Sequence, residues 1–153
     1  LGMGTTGVCA YLFGDMAHIV HAGDSRAYLC RGGSIRQLTR DHSMVQQLVD
    51  SGQITREQAA AHPQKNLITR ALGVSANIVP EYNRCEVQPG DVLLLCTDGL
   101  TNMVPDEEIA LILQETTFFD APRILVDRAI KGGGQDNITV LLMGVEVTEG
   151  TNG

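Results

Sequence analysis

Three aspartates stand where a charged side chain interrupts an apolar stretch. Asp98 follows the most apolar run of the chain, residues 92–96, and is itself followed by Gly99. Asp136 lies between the glycine run Gly132, Gly133 and Gly134 and a further apolar stretch, with Asn137 beside it. Asp24 stands in Gly23-Asp24-Ser25-Arg26, between two alternating segments. An ionised carboxylate at the end of a buried strand is costly unless it is hydrogen-bonded or bound to a cation. If the strand before Asp98 and the strand after Asp136 are antiparallel neighbours, both carboxylates meet at one sheet edge. Carboxylates without Cys or His clustering favour a hard cation such as Mg²⁺ or Mn²⁺ over zinc. On spacing alone a second reading stays open: Asp beside Gly is a frequent turn former, and Asp-Asn is a common loop pair.

The elements that must position these residues are legible from period and punctuation. Residues 5–13 alternate loosely, Gly14 and Asp15 make a turn, and residues 16–22 alternate again, which predicts a hairpin. Residues 25–30 and 34–38 form a second strand pair joined by Arg31, Gly32 and Gly33, two of which can take positive φ. The first third is therefore expected to be an antiparallel meander. Between residues 41 and 72 the spacing turns helical: Met44, Val45, Leu48 and Val49 share a face, and Gly52 follows as a stop. Thr55 with Gln58 three residues on predicts a capping box for a second short helix, which Pro63 ends. This stretch reads as a partly exposed helical insertion. Residues 78–87 are strand-like, Pro89, Gly90 and Asp91 turn the chain, and residues 92–96 read as a strand buried on both faces. Pro105 at a first-turn position, followed by Asp106, Glu107 and Glu108, starts a helix whose stripe is Ile109, Ile112 and Leu113. A further helix over residues 121–131 turns Leu125, Ala129 and Ile130 inward, and the last strand covers residues 138–147. The order defines an α+β fold, an antiparallel sheet or sandwich with a helical layer on one side.

Composition narrows the function classes. The 153 residues are 43% apolar, which suits one domain. With 11 Lys plus Arg against 18 Asp plus Glu the net charge is −7, so a surface that tracks nucleic-acid phosphates is not expected. No apolar run approaches the roughly 18 residues of a membrane span, and no secretory signal pattern is visible. Cys9, Cys30, Cys85 and Cys96 form no C-x-x-C pair and read as reduced, half-buried thiols of a cytoplasmic chain. His18, His21, His42 and His62 lack zinc-site spacing and read as ordinary surface or satisfied histidines, with His18 and His21 on opposite faces of a strand.

Five strings occur in order: GMGTT at 2–6, HAGDSRAYLCRGG at 21–33, LTRDHS at 38–43, LLLCTDGLTNMV at 93–104 and GGGQDNITVLL at 132–142. Each alone is common; together they resemble the metal-dependent PPM (type 2C) protein phosphatases, specifically the bacterial serine/threonine members, over essentially the whole chain. The resemblance implies a central antiparallel β-sandwich flanked by helices. It implies hydrolysis of phosphoserine and phosphothreonine by a water or hydroxide held between two Mn²⁺ or Mg²⁺ ions, without a phosphoenzyme. It places metal ligands at Asp98 and Asp136, and associates Asp24, together with Asp98, with a third, weaker metal in bacterial members. Gly99 and Asn137 shape the site, Arg26 pairs structurally with a carboxylate, and residues 41–66 match a mobile flap beside the site. The partners implied are phosphoproteins, a bacterial serine/threonine kinase among them.

The sequence also departs from the family. A complete catalytic domain carries, at its start, an arginine that contacts phosphate and a DGxGG motif whose aspartate bridges the two metals. Neither occurs here; the only Asp-Gly pair is Asp98-Gly99. Residues 1–153 are thus expected to be the C-terminal part of a single catalytic domain, incomplete at the N-terminus, with an exposed edge, a half-covered core and little or no activity alone. Two further classes stay open: a non-catalytic pseudophosphatase on the same fold, and the regulatory phosphatases that act on anti-sigma-antagonist-type proteins.

Overall fold

A computed structural model describes residues 2–134 and 136–147. Among these residues seven strands form two antiparallel sheets, with helices against one of them. The first sheet has the order β1 (Gly7–Phe13), β2 (Met16–Ala22), β5 (Glu81–Glu86). The second has the order β4 (Ser34–Gln37), β3 (Arg26–Arg31), β6 (Val92–Cys96), β7 (Val140–Gly144).

This arrangement corrects the expected meander. Both hairpins form, but Gly23 (φ 110°) turns the chain out of the first sheet, so β2 and β3 lie in different sheets. The β3–β4 turn does use positive φ at Gly32 and Gly33, the backbone twist that suits a tight hairpin. Strand β5 is shorter than its alternation predicts, and β7 is confined to Val140–Gly144.

Strand β6 is central in its sheet and covered on both faces, which is why its sequence is a continuous apolar run. One face, with Leu93 and Leu95, packs between the sheets against Ala17, Ile19, Ala27 and Leu29. The other, with Leu94 and Cys96, packs under α3 (Asp98–Thr101), α4 (Asp106–Glu115) and α5 (Ala121–Lys131) through Leu100, Ile109 and Leu125. Burying each such Leu or Ile side chain contributes about 1.5–3 kcal/mol. At the far end of β6 the buried Asp91 carboxylate receives two bonds from Arg31, at 2.8 and 2.7 Å, and one from the Gln88 amide at 2.8 Å. The Arg31 guanidinium holds that carboxyl below the usual carboxylate range. The strand that delivers Asp98 is thus fixed at both ends.

Pro105 is the residue before α4 rather than within its first turn, and the three acids behind it occupy the positive end of the helix dipole. In α5, Leu125 and Ala129 are inward as expected, but Ile130 is 57% exposed. Ala129 already occupies the interior position of that turn, so the next residue rotates outward. Cys9, read as half-buried, is exposed on the bare face of the first sheet; the four cysteines are all free. That face also presents Tyr11, Phe13 and Tyr82. No helix among the described residues is long and apolar enough to cross a membrane.

Candidate metal centre and flap

Antiparallel pairing of β6 with β7, with Cys96 opposite Val140, brings the end of one strand to the start of the other. The Thr97 amide donates to the Thr139 carbonyl at 3.2 Å and the Thr139 amide to Thr97 Oγ1 at 3.0 Å, so the two chains stay paired up to the acidic residues. Asp98 opens α3, and Asp136 lies in the loop before β7, where its Oδ1 accepts the Asn137 amide at 2.8 Å. Asp24, buried, occupies the turn from β2 to β3, and its neighbour Ser25 shares a 2.7 Å hydroxyl bond with Thr6. Arg26 on β3 pairs with Cys96 on β6, which sets the β2–β3 turn at the same edge. All three predicted residues therefore converge, with Asp98 close enough to Asp24 and Asp136 for both to bear on its proton affinity.

The electrostatics are those of a crowded anionic site. Burial, reinforced by the Asp98 and Asp41 charges, pushes the Asp24 carboxyl up to about 6. Burial and the neighbouring Asp136 likewise raise Asp98. The guanidinium of Arg26 offsets this only in part, because it is committed to Asp41 through bonds of 2.9 and 2.7 Å, the structural pairing the sequence predicts. Three oxygen-donor side chains, two of them with raised proton affinity, fit a hard divalent ion.

That frustration has a measurable sign. The Asp24 carboxyl is pushed up to about 6 in the fold from its ordinary 3.8, so its ionisation opposes folding once the pH rises through this window. In chelator, Asp24→Asn is expected to match the parent's Tm near about pH 4 and exceed it above about pH 6.5, and Mn²⁺ should reverse that order at the higher pH. Thermal melts of the two proteins across this range check it; a Tm difference independent of pH would contradict the assignment.

The site floors a cavity of about 700 Å³ whose other wall is the insertion 41–66. Here α1 (Met44–Asp50) is capped by Ser43, and α2 (Arg56–Ala60) carries the predicted Thr55–Gln58 capping box. The ends of the insertion are held together: the Met44 amide donates to the Leu67 carbonyl at 3.0 Å and the Thr69 amide to the His42 carbonyl at 2.8 Å. Across the cavity, Asn102 on the α3 side donates to Asn66 at 3.0 Å. Arg26 extends the anchoring by donating to Tyr28, whose hydroxyl donates in turn to Asp106 at the start of α4.

A histidine pair, read from sequence as ordinary or satisfied side chains, is neither. His21 and His42 are buried and stack with ring centroids 4.4 Å apart and planes 8° apart. His42 Nδ1 accepts the Gly23 amide at 3.0 Å, and His21 Nε2 donates to the Arg40 carbonyl at 2.8 Å. His21 Nδ1 and His42 Nε2 have no hydrogen-bond partner, and Glu81 lies 3.7–3.8 Å from the two Nε2 atoms. Parallel rings cannot both aim in-plane lone pairs at one ion, so this group acts as a clamp between the Asp24 turn and the root of the insertion. The signal for it was the β2 alternation, which turns His21 to the opposite side from His18.

Comparison with known proteins agrees with this architecture. Residues 1–48 match the family model described as protein phosphatase 2C, a segment that contains Asp24 but not Asp98 or Asp136. The serine/threonine phosphatase stp of Listeria monocytogenes is 44% identical over 149 residues, 97% of this chain and 59% of that protein. The structure of the Mycobacterium tuberculosis serine/threonine phosphatase PstP/Ppp superposes with a TM-score of 0.90 at 43% identity, covering 95% of this chain and 62% of that one. A structure of the PstP catalytic domain in complex with two manganese ions superposes at 0.85 with 41% identity, covering 95% and 60%. The fold is that of the metal-dependent PPM phosphatases. A segment of the chain thus matches the protein phosphatase 2C family, and nearly its whole length is similar to bacterial serine/threonine phosphatases. It spans about three-fifths of the length of the Listeria relative.

Proposed function

We propose that this chain is the C-terminal portion of a bacterial phosphatase domain that hydrolyses phosphoserine and phosphothreonine in proteins, with Asp24, Asp98 and Asp136 as metal ligands. The observation that carries the reading is the approach of three carboxylates, of which Asp24 and Asp98, both with raised proton affinity, line one cavity and Asp136 lies beside Asp98. Asp98 and Asp136 would hold the catalytic ions, and Asp24 with Asp98 a third. Mn²⁺ or Mg²⁺ bound there would lower the pKa of water and neutralise charge on the phosphoryl oxygens.

The rest of the work falls to the protein. Thr97 and Thr139 hold the two ligand-bearing ends in register, and Gly99 lets them approach. The Arg26–Asp41 pair keeps the guanidinium from occupying the cation's place and ties the insertion to β3. The insertion walls the cavity and limits access to it. Substrates are phosphoproteins, a serine/threonine kinase among them, and the free cysteines support action in the cytoplasm.

The test is metal dependence of a small aryl phosphate assay. A longer protein that adds an upstream DGxGG segment should turn over with Mn²⁺ and stop in EDTA, while the 153-residue chain should stay inactive although folded. Mn²⁺-dependent turnover by the short chain, lost on Asp98→Asn, would overturn the incomplete-site part of the proposal. No turnover by the longer protein with any divalent ion would overturn the phosphatase reading itself.

A further inference from the structure

The protein carries a net charge of −7 and only 11 Lys and Arg residues, yet five of those eleven line the cavity above the carboxylates: Arg26, Arg36, Arg40, Arg56 and Lys65. Two are neutralised locally, Arg26 by Asp41 and Arg40 by Asp50. The remaining three, Arg36, Arg56 and Lys65, have no carboxylate partner among the described residues. They come from two separate walls, Arg36 from edge strand β4 and the other two from the insertion.

Basic residues thus make up five of the twenty residues that line this cavity, against 11 of 153 in the chain, and the concentration rather than the lack of partners sets the cavity apart. Arg36 and Arg56 are exposed, whereas Asp24 is buried and Asp98 half-buried, which sets the two arginines at the rim of the cavity and the carboxylates deeper. The floor is anionic and suits cations; the rim suits anions that flank whatever group reaches the floor. Arg36 and Arg56 are exposed, so each can meet an extended segment without losing its hydration entirely. Resting on the phosphatase reading above, the structure assigns a substrate class to the site: phosphopeptide segments with acidic residues on either side of the phosphorylated one, held by Arg36, Arg56 and Lys65.

Such contacts are electrostatic, salt-sensitive and individually weak, so their joint effect is expected at about tenfold. The experiment uses the longer, metal-loaded protein and three phosphothreonine peptides of equal length, with Glu, Ala or Lys at the three positions on each side. The readout is kcat/KM on each peptide divided by kcat/KM on an aryl phosphate, which has no flanks. The Glu peptide should exceed the Ala peptide about tenfold at low ionic strength, with the difference carried by KM and collapsing in high salt. Arg36→Glu combined with Arg56→Glu should reverse the order of the Glu and Lys peptides. Equal ratios for the three peptides, or an order that charge reversal leaves in place, would overturn the inference. Fluorescence anisotropy of the three peptides on the 153-residue protein with Mn²⁺ reads the same preference without turnover. Failure of the aryl phosphate assay therefore counts against the phosphatase reading alone, while equal peptide affinities count against the rim.

Discussion

Asp98→Asn, in a longer protein that supports turnover, is expected to lower Mn²⁺-dependent kcat by at least about a hundredfold, because even residues that only orient metal ligands cost 10- to 100-fold when changed. The substitution preserves shape and removes the charge. Both neighbouring carboxyls bear on the proton affinity of Asp98, so it is the group whose loss touches every pairing in the site. Stability should move the other way. The Asp98 charge is one of the causes that raise Asp24, so without metal the asparagine variant should be as stable as the parent above about pH 6.5, or more so. Asp24→Ala should reduce activity less completely and weaken only the third ion. A turn-forming role for Asp98 predicts the reverse pattern: loss of stability with little change in turnover. Parallel kcat measurements and thermal melts in EDTA separate the two, and an unchanged kcat for Asp98→Asn would sink the assignment.

The opposed signs are what a binding site costs a fold. Elsewhere the chain obeys local rules: Ser43 caps α1, Thr55 and Gln58 box α2, and the Arg31–Asp91 pair satisfies its buried carboxylate. At Asp24 and Asp98 the rule against unpaired buried charge is broken, and such departures concentrate where function is located.

How far the sequence discloses this depends on the range of the interaction. Helices α1 and α2 were legible because their caps and stripes are set within a few residues. Strand β6 was legible because burial on both faces leaves no polar position in its run. The meeting of Asp98 and Asp136 followed from one assumption, antiparallel neighbours, which the Cys96–Val140 register satisfies. The division of the hairpins between two sheets was not legible, since alternation has the same period whichever sheet a strand joins. The His21–His42 stack was hidden for a similar reason: the two rings come from separate elements and meet only after β2 and the root of the insertion cross. The basic rim is likewise assembled from positions that share no periodicity. Local rules place each element, whereas the pairing of distant ones is decided by packing.

The second large effect is expected at a residue that does no chemistry. Gly99 follows Asp98 on α3 and is buried against the loop that carries Asp136. A methyl group there would drive into the Asn137 carbonyl oxygen, with the Asn137 carbonyl carbon 3.0 Å and Ile138 Cγ1 3.1 Å away. Backbone cannot swing aside as a flexible side chain can, so Gly99→Ala should cost about 1–3 kcal/mol, the range for overpacking, and separate the two ligand-bearing segments. Misplacing catalytic groups by about 1 Å can cost about a hundredfold in rate, so kcat should fall by about that factor, with weakened apparent Mn²⁺ affinity. Gly132→Ala is the control, because its added methyl would meet neighbours at an ordinary 3.5 Å. Its φ of −73° is open to any residue, and its effect should stay within about 0.5 kcal/mol. Urea unfolding and Mn²⁺ titration of turnover on both variants decide between steric and conformational causes. If Gly99→Ala keeps both its stability and its metal affinity, the close approach of the Asp98 and Asp136 segments does not govern the site.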